Sequence, residues 1–394
     1  MFPDLSRYCV IAILLLTAIP GPLLGEEIKL VPGLAVKDEF NDNIFLTTGS
    51  RRSDFIATVT PSLEISRGAE LHNLSLSGGL NWLRYARNSS LNSVDFFGQT
   101  GFGYQFDPRL SLSVGAGYVR DSRPDRIDQG GLTLKSGSDR QNYQASGNYA
   151  VSEKSSSTLS YAFSQENFDN TGSVTTSVHN VTLGQNYDID RYLRQTKLVG
   201  NLGFSRNLTD ISLVDNYTVS AGFTRKMHEL WSIALNAGGR YTNSEFDVIQ
   251  GKVSARFHDE DLGWIGNLAV NYSGETTNGS LTVNHDVTTA SGRSGTTKRT
   301  GVSVNVNERF TRELSGIVGV GYSWNRSDQN QFSAQAIDEK NLTLSGAVRY
   351  DFSEYVALEG TYRYNRIDYS HLSSQAIQNV FMLRFTLRRD LMDL

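Results

Sequence analysis

After residue 50 the chain alternates apolar and polar side chains one for one, in short segments, almost to its C-terminus. Leu110, Leu112, Val114, Ala116 and Tyr118 interleave with Ser111, Ser113, Gly115 and Gly117. Tyr217, Val219, Ala221 and Phe223 interleave with Thr218, Ser220, Gly222 and Thr224. Leu342, Leu344, Gly346, Val348 and Tyr350 interleave with Asn341, Thr343, Ser345, Ala347 and Arg349. Successive side chains on a strand point to opposite faces, so each segment has one apolar face and one face of small polar residues. One such strand constrains little. Well over a dozen, with no helical period between them, predict a sheet that is wet on one side and apolar on the other throughout. That pattern is the signature of an all-β transmembrane, antiparallel, up-and-down β-barrel.

Composition supports this over a soluble fold. Hydrophobic residues make up 39% of the 394-residue chain while aromatics reach 10%. A soluble domain of that length needs a thick core, whereas here Gly, Ser, Thr and Asn dilute the apolar residues at every second place. A β-sandwich is the competing all-β reading, but sandwiches rarely need so many strands. The net charge of −4 and the absence of a basic block give no reason to expect nucleic-acid binding.

The N-terminus reads as a secretory signal over residues 1–25, leaving 26–394 as the barrel. Arg7 supplies the positive region and Val10 to Ile19 an apolar stretch too short to span a bilayer as a helix. Pro20, Gly21 and Pro22 break it, and cleavage is expected near Gly25. An uncleaved anchor is the alternative. Cleavage would remove the only cysteine, Cys9, and with it any disulfide or thiolate chemistry. The expected location is the outer membrane of a Gram-negative cell. The partners expected there are outer-membrane lipid, lipopolysaccharide and the barrel-assembly machinery.

Two kinds of connection alternate. Short turns are expected at 66–69, 107–109, 188–190, 226–228, 311–313 and 353–354. Longer polar loops are expected at 41–53, 121–138, 167–176, 206–213, 326–338 and 368–375. Bacterial barrels carry short periplasmic turns and longer external loops. About nineteen strand candidates appear, and an even number is required if both termini lie in the periplasm. The weakest is Val253–Phe257, so 245–261 reads as an external excursion and about eighteen strands remain. That number leaves an aqueous lumen. Two aromatic girdles are expected. Phe102, Tyr104, Phe106, Trp231, Tyr350 and Phe352 lie near short turns, and Tyr118, Tyr241, Tyr322, Trp324, Tyr362 and Tyr364 near long loops.

Chemistry is sparse. His72, His179, His228, His258, His285 and His371 show no paired metal-ligand spacing. Gly115-Ala116-Gly117 and Gly319-Val320-Gly321 lack the third glycine and the helix of a dinucleotide loop. His371 beside Asp368 is better read as a solvated loop than as a catalytic pair. No enzyme activity, no cofactor and no metal are expected.

The polar face is more informative. Strand phasing turns Arg240, Arg349, Arg363 and Arg384 inward, with Lys197, Glu64, Glu359 and Asp286, because arginine on the lipid face would cost about 2–4 kcal/mol at mid-membrane. Arg349, Arg363 and Arg384 fall on the three final strands, and Glu359 shares the face of Arg363. A structural network of these groups is one reading. The other is an arginine lane that favours an anionic solute.

Glu39-Phe40-Asn41-Asp42-Asn43-Ile44-Phe45, Ser53-Asp54-Phe55 and Thr60-Pro61-Ser62-Leu63 resemble the opening of the second β-barrel porin family of outer-membrane proteins. Leu281 to Asp286, Ser291-Gly292 and Glu308 to Leu314 are similar to it as well. The resemblance implies a barrel. Through the neighbouring exopolysaccharide and exosortase genes of many members, it also implies a link to surface polysaccharide. It implies no catalytic residue. The expectation is therefore a porin-like passive conduit for an anionic polysaccharide or a diffusing solute. The alternatives are a non-conducting assembly component plugged by segment 26–45 or folded loops, and an outer-membrane hydrolase.

Overall fold

The computed structural model describes residues 27–125, 127–128, 131–132, 137–169, 174–250, 253–289, 295–328, 336–370 and 373–393. The proposed signal, residues 1–25, lies outside them. The chain is a closed antiparallel barrel of eighteen strands. In chain order these are β1 (Glu27–Asn41), β2 (Asp54–Gly68), β3 (His72–Tyr85), β4 (Ser93–Asp107), β5 (Leu110–Asp121), β6 (Ser138–Ser152) and β7 (Ser155–Phe168). Then come β8 (Thr176–Asp188), β9 (Thr196–Thr209), β10 (Ser212–Lys226), β11 (Trp231–Gln250), β12 (Val253–Ser273) and β13 (Thr277–Thr289). The last are β14 (Thr296–Arg309), β15 (Leu314–Ser327), β16 (Ile337–Asp351), β17 (Val356–Tyr369) and β18 (Ser374–Arg388). Each strand pairs with its neighbour in sequence, and β18 pairs with β1 to close the ring. The one helical element among the described residues is a 3-10 turn at Ser89–Leu91.

The two faces separate as the alternation requires. Leu159, Leu202 and Val219 are 57%, 54% and 58% exposed, although each sits in mid-strand, because their face meets lipid rather than a core. Aromatic side chains form belts on that outer face. Phe40 stacks against Phe55 and Tyr362 against Phe381 near the long-loop end, with Tyr217 and Tyr241 at the same level. Phe102, Tyr104 and Phe106 cluster at the short-turn end, with Trp231 on Tyr272 and Tyr350 on Phe352. The inner face is amide and hydroxyl. One chain of hydrogen bonds crosses four strands there: Thr343 Oγ1 to Asn365, Asn365 Nδ2 to Gln378, and Gln378 Nε2 to Asn41, at 3.0, 2.9 and 3.2 Å.

Three features differ from the sequence expectations. Segment 26–45 is not a plug: residues 27–41 form β1, a wall strand paired with β2 along its whole length. Its alternation is interrupted by Pro32-Gly33 and by the outward Asp38, so it does not stand out in the sequence. Residues 206–213 are not a long loop. β9 and β10 run on to Thr209 and Ser212 and turn at Asp210-Ile211. Residues 245–261 do leave the membrane zone, but as a regular ribbon in which β11 and β12 pair up to Gln250 and Val253. Val253–Phe257 is the upper end of β12 and not a strand of its own. The last two differences have one cause. Above the outer belt the outward face meets water, so charged pairs such as Arg206–Asp215 at 2.7 Å replace the apolar residues that mark a strand.

Candidate functional site: the lumen and its mouth

The register brings together most of the inward charges inferred from sequence. Arg349 of β16 lies opposite Glu359 of β17, Glu359 opposite Arg384 of β18, and Arg384 opposite Lys37 of β1. Arg363 lies two places above Thr361 on the same face of β17, opposite Ser345 and Val380. Arg349 is held by Asp351 at 2.7 Å and Lys37 by Glu39 at 3.1 Å. Arg363 and Arg384 make no ion pair or hydrogen bond to another described residue. Arg240 stands apart on β11. It is 4% exposed and is bound to the Thr242 hydroxyl and, at 2.7 Å, to Asp261. Its guanidinium occupies the space that a Cβ at Gly263 would need.

Residues that the sequence reading left in solvated loops build the mouth. The loop after β5 turns into the barrel and presents Arg123 and Asp125. Arg123 forks onto the two carboxylate oxygens of Glu39, one bond being 2.9 Å, and its Nε meets Asp125 at 3.1 Å. Burial works against this cation, but the carboxylates of Asp125 and Glu39 outweigh it and push its pKa above the ordinary arginine value. Asp125 Oδ2 accepts from Asn41 and from Gln378, each at 2.8 Å. The loop after β1 turns inward too. Ile44 is buried against Ile56, Leu83 and Tyr85, and Leu46 against Ile367 and Ala376, with Ile127 alongside. These are the two hydrophobic clusters among the described residues; Val214 and Phe246, also fully buried, lie apart from them on β10 and β11.

The Asn41-Asp42-Asn43 run binds the first strand to the last. Asp42 accepts the Asn379 backbone N–H and side-chain amide at 2.6 and 2.7 Å. Asn43 donates to the Ile377 carbonyl at 2.9 Å, and Gln378 donates to the Asn43 carbonyl at 3.1 Å. The signal in the sequence was the apolar triplet Ile44-Phe45-Leu46 inside an otherwise polar loop.

Below the docked loops lies a polar cavity of about 680 Å³. Lys37, Glu39, Arg123, Arg299, Arg363 and Gln378 are among its lining residues. Arg299, absent from the inward set inferred by phasing, faces the lumen from β14 opposite Asp286 of β13. Lys37 and Arg123 are neutralised by Glu39 and Asp125, while Arg363 and Arg299 on the cavity wall make no ion pair among the described residues.

Comparison with known proteins agrees with this architecture. Residues 247–389 match the family model described as "Putative beta-barrel porin 2". The match includes the stretches at 281–292 and 308–314 but not the one at 39–63. No curated protein matches the chain. OccAB4 of Acinetobacter baumannii is 11% identical over 94% of this chain and 100% of its own, with a TM-score of 0.45. OccK2 of Pseudomonas aeruginosa is 9% identical over 93% and 100%, with a TM-score of 0.48. The ferric citrate transporter FecA is 9% identical over 88% of this chain and 61% of its own, with a TM-score of 0.51, and shares the fold. Over residues 247–389 the chain carries the pattern of the Putative beta-barrel porin 2 family, and its architecture throughout is that of a porin-like outer-membrane β-barrel.

Proposed function

We propose that this barrel is a passive conduit for hydrophilic anions, with acidic saccharides as the solute class. The observation that carries the reading is the run of inward guanidinia on consecutive strands. Arg363 and Arg384 make no ion pair among the described residues, and Arg349, itself paired with Asp351, faces Arg384 across Glu359. In a narrow lumen with low-dielectric walls, uncompensated positive charge lowers the barrier for anions and raises it for cations. Amide and hydroxyl groups around the cavity suit the hydroxyls of a sugar. A role in surface-polysaccharide traffic follows as the proposed setting, with lipopolysaccharide around the barrel and the assembly machinery acting on the terminal strand.

The test is the reversal potential of the purified protein in planar bilayers under a KCl gradient. Anion preference is expected, and replacing Arg349, Arg363 and Arg384 together with Gln should abolish it. An open pore whose selectivity ignores those substitutions would remove the reading. The docked mouth loops favour a second reading, a closed barrel with a structural role, and absence of any conductance would support that instead.

A further inference from the structure

The wall is not uniform. β12 and β13 are paired only from Gly266↔His285 down to Ser273↔Asn278. Above that point β13 continues to Thr289 with its backbone paired to β14 alone, and β12 continues upward with its backbone paired to β11 alone, while the Lys298–Asp261 ion pair, at 3.3 Å, reaches from β14 to β12. The two strands therefore diverge, and a notch opens between them. Its floor sits at the outer aromatic belt. There Trp264 stacks on His285 with ring centroids 3.9 Å apart and planes 15° from parallel, and Leu262 lies opposite Tyr241. Backbone edges cannot stay unpaired in hydrocarbon, so a notch that begins at the headgroup level is where such an opening can exist.

A cavity of about 280 Å³ lies at the notch. Its lining mixes the two faces of the wall. Asn216, Asn236 and Arg240 come from the lumen side, while Gly266, His285 and Val287 come from positions that point outward. Ile265, Gly266, His285 and Asp286, which flank the point where the two strands part, are all in that lining. At the notch itself Leu262 and Trp264 are 82% and 61% exposed, apolar side chains at the level of the outer belt. In the cavity lining, Asn236 Oδ1 is buried with no hydrogen-bond partner among the described residues. A buried acceptor of that kind suits a hydroxyl or amide donor from outside the chain.

We propose that the notch between β12 and β13 is a lateral portal for a single-chain amphiphile, with its alkyl chain in the outer leaflet and its sugar head in the cavity beneath. The apolar rim at Leu262 and Trp264 contacts the chain, and the amides of Asn216 and Asn236 receive the head. This role goes beyond the passage of free solutes along the barrel axis and does not depend on it.

The probe is a dodecyl glycoside with a photoreactive diazirine on its sugar, compared with the methyl glycoside of the same sugar. The protein is reconstituted in phospholipid vesicles and adducts are mapped by mass spectrometry. Adducts on the segment containing Asn236 are expected at least about tenfold more often with the dodecyl probe, since its chain concentrates it in the bilayer. Ile265→Cys with Asp286→Cys, in a Cys9→Ser background, places cysteines one step above the last paired position. Closing that disulfide should erase the difference, and reduction should restore it. Should the bond not form, Val287→Trp fills the notch and is read in the same way. Equal labelling by the two probes, or a difference that survives both the closed disulfide and the tryptophan, would overturn the portal. Because the readout is labelling and not current, a non-conducting barrel would refute the conduit without touching this result.

Discussion

Replacing Arg123 with Ala removes the side chain through which the mouth loop grips Glu39 of β1 while bracing its own Asp125. Glu39 is 2% exposed, so the substitution leaves a buried carboxylate whose remaining ion-pair partner is Lys37 at 3.1 Å. Breaking a buried ion pair costs roughly 3–5 kcal/mol. Lys37 retains part of that, which brings the loss to about 2–3 kcal/mol. Asp125 keeps its bonds to Asn41 and Gln378, so loop docking should weaken and not vanish. At 1.4 kcal/mol per decade, the ratio of undocked to docked loop rises about 30- to 150-fold. Two measurements follow it: single-channel conductance, which should increase with new flicker, and amide exchange over 122–125, which should accelerate. Arg123→Lys keeps the charge but loses the fork and should fall between wild type and Ala. If conductance and exchange both stay at wild-type values in the alanine variant, the ion pair does not hold the loop and the reasoning fails.

Gly79 faces the lumen beneath the Phe97 ring. A Cβ there would approach the Pro61 carbonyl at 2.5 Å and the ring at 2.7 Å. Gly79→Val should therefore lower the urea midpoint of the folded barrel, by roughly 1–3 kcal/mol for such overpacking, and an unchanged midpoint would show that the wall yields. Above the outer belt, Asp247 is held below the usual aspartate pKa by its hydrogen bond and charge pairing with Arg256 at 2.9 Å. A depressed carboxylate stabilises above its unfolded pKa and loses that effect as pH falls through the folded value. Exchange protection of residues 245–250, corrected for intrinsic rates, should thus be constant from neutral pH to about 5 and decline below about 4. Asp247→Asn should flatten that decline, and the same profile in both proteins would exclude the pair as its cause.

Legibility in the sequence depends on how local the cause is. Alternation between lipid and water is imposed on every strand by its immediate surroundings, so the wall from β2 to β18 can be read residue by residue. The inward phase of Arg349, Glu359 and Arg384 follows from the same rule, as does their adjacency, since neighbouring strands in an up-and-down barrel are neighbours in the chain. The mouth is different. Gln378 meets Asn41 across 337 positions, and Asp125 meets Gln378 across 253. No periodicity announces such a contact. Nor does alternation survive where the surroundings change. In the ribbon above β11 and β12 the outward face is wet and carries charged pairs, and in β1 the outward Asp38 hides the strand from a reading tuned to apolar residues. The notch escapes for a related reason: its strands are ordinary in sequence, and only the height at which they separate is unusual.

The hoop is fastened by its two extremities. β1 has β2 on one side, but its other side waits for β18, and beyond that strand the tail comes back against it: the Leu391 N–H bonds to the Leu30 carbonyl, and Met392 and Asp393 pair with Leu30 and Lys29. Nothing earlier in the chain can supply that edge. Until β18 and the segment after it arrive, β1 therefore presents an open hydrogen-bonding border that must be shielded from other chains. Shortening the protein by even a few residues at its carboxyl end would strip the lower part of β1 rather than trim a dispensable overhang.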